Sequence, residues 1–315
     1  MRLIAVVCLF ALSAPAIAEA DKERPSKPDI ERSSREGSSI AVQVALDRAG
    51  FSPGEIDGRT GANTRKALAA FQAAYGLQAT GVVDAATRAK LREVMPGDAL
   101  TTYTITAEDA DGPFLDEIPE DMMARAALPA LAYTSIVELL AERFHADPDL
   151  LRRRNPRSEF VAGDAIRVPD VLTAPVAGEA ASVTVSKSQS VAEAVDGAGR
   201  VIFFAPITAG SEKDPLPIGQ WTVKGIVENP TFRYNPDLFW DAEPDHAKAM
   251  LPAGPNSPVG VVWIDIDKEH YGLHGNPEPS QVGRAESHGC VSLTNWDASR
   301  LAGLVKVGTP VLFVE

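Results

Sequence analysis

The stretch ESHGCVSLTNWDA, residues 286–298, sets His288 two positions before Cys290. The chain holds one other cysteine, Cys8. A second histidine, His274, stands in YGLHG at 271–275. A free thiol is only a few per cent thiolate at neutral pH, so a nucleophilic cysteine needs a base beside it. A neighbouring imidazole takes the proton and lowers the thiol pKa. The stretch GNPEPSQVGRAES after His274 is rich in Gly, Asn and Pro breakers and reads as a loop. A strand end, a loop and the next strand would bring His274 beside Cys290. Gly289 leaves room for close substrate approach, and the Gly289 and Cys290 N–H groups could face a developing oxyanion. Two other readings stand beside this one. Cys290 could be a small buried hydrophobe, or His274, His288 and Cys290 could be three zinc ligands. The zinc reading lacks an obvious fourth ligand.

The compartment bears on that choice. MRLIAVVCLFALSAPAIAEA opens with Arg2, continues with an apolar run and ends in small-x-small cleavage patterns. Residues 1–20 read as a secretory signal peptide, too short in its apolar core to span a membrane. Cys8 lies inside it and would be lost on export, leaving Cys290 as the sole mature thiol, with no internal partner for a disulfide. The formal charge of -13 argues against nucleic acid, whose phosphates select basic surfaces. No second apolar run reaches membrane-spanning length.

The elements that must position these residues follow along the chain. Residues 21–39 are polar and charged, and read as a disordered linker. Residues 40–96 carry three short helical periodicities and a weak repeat, GEIDGRTGANTRKAL echoed by GVVDAATRAKL, with an Asp as cap or turn former before each helix. Residues 101–170 read strand, helix, helix, strand, with an acidic insertion, EDADGPFLDEIPED, after the first strand. His145 reads there as a solvated helix-end residue. Residues 173–181 form a linker. From 182 to 315 the pattern is mostly strands bounded by Pro and Gly turns, with one helix, WDASRLAGLV, behind a Thr294-Asn295 cap. A mainly-β sandwich or barrel is expected. Residues 229–253 read equally as a lid or as an ordinary packed loop. His246 and His270 have no motif partners and read as solvated.

Three resemblances rest on these residues. Asp57-Gly58, Thr64, Phe71-Gln72, Tyr75-Gly76-Leu77, Thr80-Gly81, Asp84 and Thr87 resemble the peptidoglycan-binding-like three-helix module. Asn155-Pro156 and Gly163–Pro169, in the strand-helix-helix-strand order, are similar to a LysM glycan-binding module, from which the insertion departs. Tyr271-Gly-Leu-His274-Gly275 and Ser287-His288-Gly289-Cys290-Val291, with DPLPIGQWTV upstream, resemble the L,D-transpeptidase (YkuD-like) family over 182–315. That last resemblance implies a nucleophile, Cys290, and a base, His274, whose ring the Gly275 carbonyl orients. Gly289 joins them, while Tyr271, Ser287, His288, Ser292 and Asn295 would meet substrate. It implies no metal and no cofactor. The partner would be peptidoglycan, both stem peptides and glycan strands, and the place the periplasm or cell wall. Many members carry Arg where Ser292 stands; Arg284 and Arg233 are the basic residues that could replace it. Resolution of the acyl-enzyme by an amine gives a transpeptidase with 3-3 crosslinks; resolution by water gives a carboxypeptidase. A wall-binding protein with an inert catalytic fold is the alternative outside enzymes.

Overall fold

The computed structural model describes residues 27–94, 96–172, 178–240, 242–284 and 289–315. The expected signal peptide with Cys8, residues 173–177 of the linker, Ser287 and His288 lie outside the described residues. Among those described, no helix is long and apolar enough to cross a membrane.

The N-terminal region is helical: α1 (Lys27–Arg48), α2 (Ala62–Ala74) and α3 (Ala85–Val94). Residues 27–39 are therefore helix, and not the disordered linker their composition suggests. Glu36 pairs with Arg153 and Arg154, Ser39 Oγ lies 3.2 Å from Thr60 Oγ1, and Ile40 is buried. From that anchored half the helix extends backward at little cost per residue, since nucleation is already achieved and no proline intervenes after Pro28. Leu46, Phe51, Leu68, Phe71 and Leu91 form the core.

The weak repeat is deeper than it reads. Gln43 Oε1 accepts from Gly58 N–H at 2.9 Å, and its Nε2 donates to Thr64 Oγ1 at 3.3 Å. Gln72 does the same one repeat later, with Gly81 N–H at 2.8 Å and Thr87 Oγ1 at 2.8 Å. Each buried amide satisfies a loop that would otherwise strand polar groups in the core. Asp84 accepts from Thr87 N–H at 2.7 Å as a cap, whereas Asp57 accepts from Arg59 N–H in a turn and from Gln43 Nε2, and the α2 N-cap is Gly61.

In the middle region, β1 (Leu100–Thr104) pairs antiparallel with β2 (Ala165–Pro169). Between them come α4 (Ala107–Asp111), α5 (Met122–Ala126), α6 (Ile136–Arg143) and α7 (Pro148–Arg154). Ser135 caps α6, and Asp147 caps α7 with Pro148 in its first turn. Val137, Leu140, Phe144, Leu151, Ile166 and Val168 pack between helices and strands.

The C-terminal region supplies β3 (Ser182–Ser186), β4 (Val191–Val195), β5 (Val201–Pro206), β6 (Thr208–Ala209), β7 (Gly219–Glu228), β8 (Phe232–Tyr234), β9 (Ala249–Leu251), β10 (Val262–Ile266), β11 (Gly272–Asn276), β12 (Val291–Thr294), α8 (Asn295–Ala302) and β13 (Pro310–Val314). Among the described residues the main sheet runs β5-β4-β3-β13-β7-β10-β11-β12-β6. It folds on itself through β7, whose first half pairs with β13 and second half with β10. Val183, Phe203, Val223, Ile264, Leu293, Leu301 and Phe313 fill the space inside. The architecture is the expected mainly-β sandwich or barrel behind a helical N-terminal region.

The three regions meet in a buried polar junction. Asp47 of α1, fully buried, accepts from Arg300 Nη2 of α8 at 3.0 Å and lies 2.9 Å from His145 Nδ1. His145 is not the solvated helix-end residue its position suggests. It is 8% exposed, takes φ 55, and stacks on Trp296 with ring centroids 5.1 Å apart. Ser52 Oγ donates to Asp297 at 2.7 Å. Phe51 bridges to Phe204 alongside β5, covering that sheet edge.

The acidic insertion of the middle region also reaches the C-terminal region. Leu131, Tyr234 and Leu251 form a small core with Met122, Ala126 and Phe232, so α5 lies against the β8–β9 hairpin. His246 is again not solvated: its side chain is 8% exposed, with Nδ1 2.8 Å from Tyr234 Oη and Nε2 2.8 Å from Asp121. Residues 229–253 thus contain a clamped hairpin. His246→Ala removes the ring contacts to Tyr234 and Asp121 that tie the hairpin to the middle region, and is expected to cost about 1–3 kcal/mol of hairpin docking. Faster amide exchange in β8 and β9, with β10–β12 unchanged, is the signature.

Candidate active site

β11 and β12 are parallel neighbours, with Leu273 opposite Val291 and His274 opposite Ser292. Cys290 is the residue immediately before β12, so the loop after His274 returns the chain one strand away. Sequence predicts this juxtaposition. His274 is 8% exposed, and its Nδ1 lies 2.7 Å from the Gly275 carbonyl oxygen. A carbonyl only accepts, so Nδ1 carries the proton and Nε2 is the basic nitrogen. Trp263, opposite His274 on β10, stacks on the imidazole at 5.5 Å between centroids and 14° between planes. Gly272 permits this, because a Cβ there would meet the Trp263 ring at 2.5 Å.

Cys290 keeps partial exposure, and its Sγ lies 3.6 Å from the His270 carbonyl oxygen. His270 itself is exposed, as its lack of motif partners suggests. Protein surrounds the sulfur, and burial pushes the thiol up to about 11, against the Gly272 backbone, which acts the other way. Burial holds His274 down to about 4, against the Gly275 hydrogen bond. Burial thus acts on both groups against the thiolate–imidazolium form. Low-dielectric surroundings disfavour both charged forms, and a neutral imidazole offers the thiolate no charge. Both shifts favour the neutral thiol and neutral imidazole over the ion pair.

Gly289 has φ +96, and a Cβ there would come 2.9 Å from the Tyr271 ring. Burial, and then Cys290 and Asp214, raise the Tyr271 phenol above its usual range. Two of the residues expected to meet substrate do not face it. Ser292 is 2% exposed, and its Oγ accepts from Asn276 Nδ2 at 3.2 Å within the β11–β12 seam. Asn295 is 1% exposed; Nδ2 donates to Glu142 at 2.7 Å and Pro255 at 3.0 Å, and Oδ1 accepts from Val261 N–H at 3.2 Å. Both are consumed by the fold. Arg284 instead lines a polar cleft with Glu55, Asp57 and Arg59 of the helical region. Sequence reasoning does not single out Trp263 or Glu142.

Residues 180–312 match the model of the L,D-transpeptidase catalytic domain. This segment is similar to that family over its matched length. Residues 35–91 match the model described as "Putative peptidoglycan binding domain". "Putative L,D-transpeptidase YkuD" of Bacillus licheniformis is 44% identical over 57 residues, 18% of this chain and 34% of that protein. "Probable L,D-transpeptidase YbiS" of Escherichia coli K12 is 33% identical over 120 residues, 36% of this chain and 38% of that protein. The chain thus spans little more than a third of the length of these relatives. Among solved structures, L,D-transpeptidase 3 from Mycobacterium tuberculosis with a faropenem-derived adduct is 20% identical, with a TM-score of 0.36 over 50% of this chain and 76% of that one. Within the L,D-transpeptidase domain, the Cys290–His274 neighbourhood is the candidate active site.

Proposed function

We propose that the protein is a secreted, cysteine-dependent L,D-transpeptidase acting on peptidoglycan stem peptides in the periplasm or cell wall. The observation that carries this reading is His274, held by the Gly275 carbonyl on β11, which pairs with β12, the strand that directly follows Cys290. With both groups neutral at rest, His274 Nε2 takes the thiol proton as sulfur attacks the carbonyl of the third stem residue. The S–C bond forms, the C–N bond to the terminal D-alanine breaks, and the imidazolium returns its proton to the leaving amine. The Gly289 and Cys290 N–H groups receive the oxyanion. An amine of a neighbouring stem then attacks the thioester, restoring the thiol and leaving a 3-3 crosslink. The helical region holds the enzyme on the wall, and the middle region, whose sequence resembles LysM apart from the insertion and whose two strands enclose four helices, lies between that anchor and the chemistry.

Incubation of the enzyme with stem tetrapeptides, read by mass spectrometry, is expected to release D-alanine and give joined stems. Products hydrolysed only by water would make the enzyme a carboxypeptidase, and no D-alanine release would sink the reading. The protein is also expected to sediment with isolated peptidoglycan; retention in the supernatant would remove the anchoring role.

A further inference from the structure

We infer that Glu142, a side chain of the middle region, is a positioning residue for His274 in the L,D-transpeptidase domain, acting through Asn295 and Gly275. The inference rests on the reading of His274 as the base. Glu142 sits on α6, with Tyr133 Oη donating to Oε1 at 2.8 Å and Asn295 Nδ2 donating to Oε2 at 2.7 Å. The Asn295 amide has no freedom left. Its second N–H goes to the Pro255 carbonyl, and Oδ1 receives Val261 N–H. That orientation matters because Oδ1 occupies the space of two missing side chains. A Cβ on Gly275 would lie 2.1 Å from it, and a Cβ on Gly260 would lie 2.0 Å from it. The oxygen thus rests directly on the Gly275 backbone, whose carbonyl, 2.7 Å from His274 Nδ1, sets the tautomer and the ring.

The consequence of losing Glu142 follows from the donor count. One buried amide hydrogen of Asn295 and the Tyr133 hydroxyl would lose their acceptor. The amide would then rotate or shift to find another, and its NH2 edge or its displaced oxygen would press on Gly275. A base displaced by a fraction of an ångström in a near-attack geometry loses rate, with little change in substrate binding. Glutamine preserves the arrangement, since its carbonyl accepts from Asn295 and its NH2 meets the Tyr133 oxygen.

The test compares wild type, E142Q, E142A and E142M in the full chain. E142M keeps the volume and removes the acceptor, so it carries the result if E142A does not fold. With stem tetrapeptide as substrate, E142A and E142M are expected to lose on the order of ten- to a hundredfold in kcat with KM nearly unchanged. The acid limb of their pH–rate profile should move up toward the ordinary histidine value of about 6.5, as the imidazole is less tightly enclosed. E142Q should recover most of the rate. A folded E142M with wild-type kcat and acid limb overturns the inference, as does an E142Q no better than E142M. Imidazole NMR titration of His274 in the same variants reads positioning without turnover. A His274 resonance that titrates near 4 in wild type and higher in E142M supports it, and an unmoved resonance overturns it. A wild type inert toward stem peptides would sink the functional reading while that titration still decides this one.

Discussion

Cys290→Ala is expected to end turnover outright, and His274→Ala to slow acylation by roughly a hundredfold or more, the scale of a lost general base. His274→Ala, which keeps the thiol, should also compare with wild type in thiol chemistry in an unusual way. In a site poised as an ion pair, removing the histidine would raise the pH at which the thiol is alkylated. Here His274 is held down to about 4 and Cys290 pushed up to about 11, both by burial. Above pH 4 the imidazole is neutral and contributes no charge to the thiolate. Iodoacetamide labelling of Cys290 should therefore climb steeply toward high pH in wild type and follow nearly the same profile in His274→Ala. Turnover, by contrast, needs neutral His274 and should fall off on the acid side near pH 4. A wild-type labelling profile already at its plateau at neutral pH, shifted upward by His274→Ala, would establish a resting ion pair and overturn this account.

The second large effect concerns stability. Asp47→Ala is expected to cost about 3–5 kcal/mol, because it leaves the buried Arg300 without its counter-charge. Burial alone would raise the Asp47 carboxyl, but His145 and then Arg300 more than offset it and hold it well below the usual carboxylate range. A carboxyl depressed in the fold contributes stability that is present above its unfolded pKa and lost as the pH falls through the folded one. The penalty of Asp47→Ala, measured by urea unfolding, should thus be full at neutral pH and shrink in strong acid. Loss should reach all three regions together, since α1, the α6–α7 link and α8 share the junction. For the same reason, deleting residues 40–170 should leave an L,D-transpeptidase domain that unfolds or aggregates. The Phe204 side of β5 and the Glu142 contact to Asn295 would both be stripped. An Asp47→Ala protein as stable as wild type, or a well-folded truncation, would show the junction to be dispensable.

What could be read from the chain was local. Alternating Val and Ile runs give the strands, three helical periodicities give α1 to α3, and His274 and Gly275 lie on β11 while Gly289 and Cys290 directly precede the neighbouring β12, the strand, loop and next strand that the sequence suggests. What could not be read depends on partners far away in sequence. His145 and His246 have no neighbouring motif, yet Asp47, Trp296, Asp121 and Tyr234 bury them. Ser292 and Asn295 sit beside the cysteine in sequence, yet the β11–β12 seam and Glu142 consume their polar groups. Residues 27–39 are polar enough to suggest disorder, but Glu36 and Ser39 tie that helix to Arg153, Arg154 and Thr60. Burial, which motif spacing does not report, raises the thiol and lowers the imidazole.

The Phe51–Phe204 bridge and the Asp47–Arg300 pair have a geometric consequence for the proposed activity. An enzyme on a flexible leash would sweep a volume around its anchor and sample any stem within the leash length. Here the helical and C-terminal regions share one buried seam, so in the proposed activity the thiol would stand at a fixed offset and heading from any strand the helical region held. Such an enzyme works as a caliper: it selects stems by their distance and rotation along the glycan, and the pitch of the polymer, as much as its chemistry, decides which ones are joined.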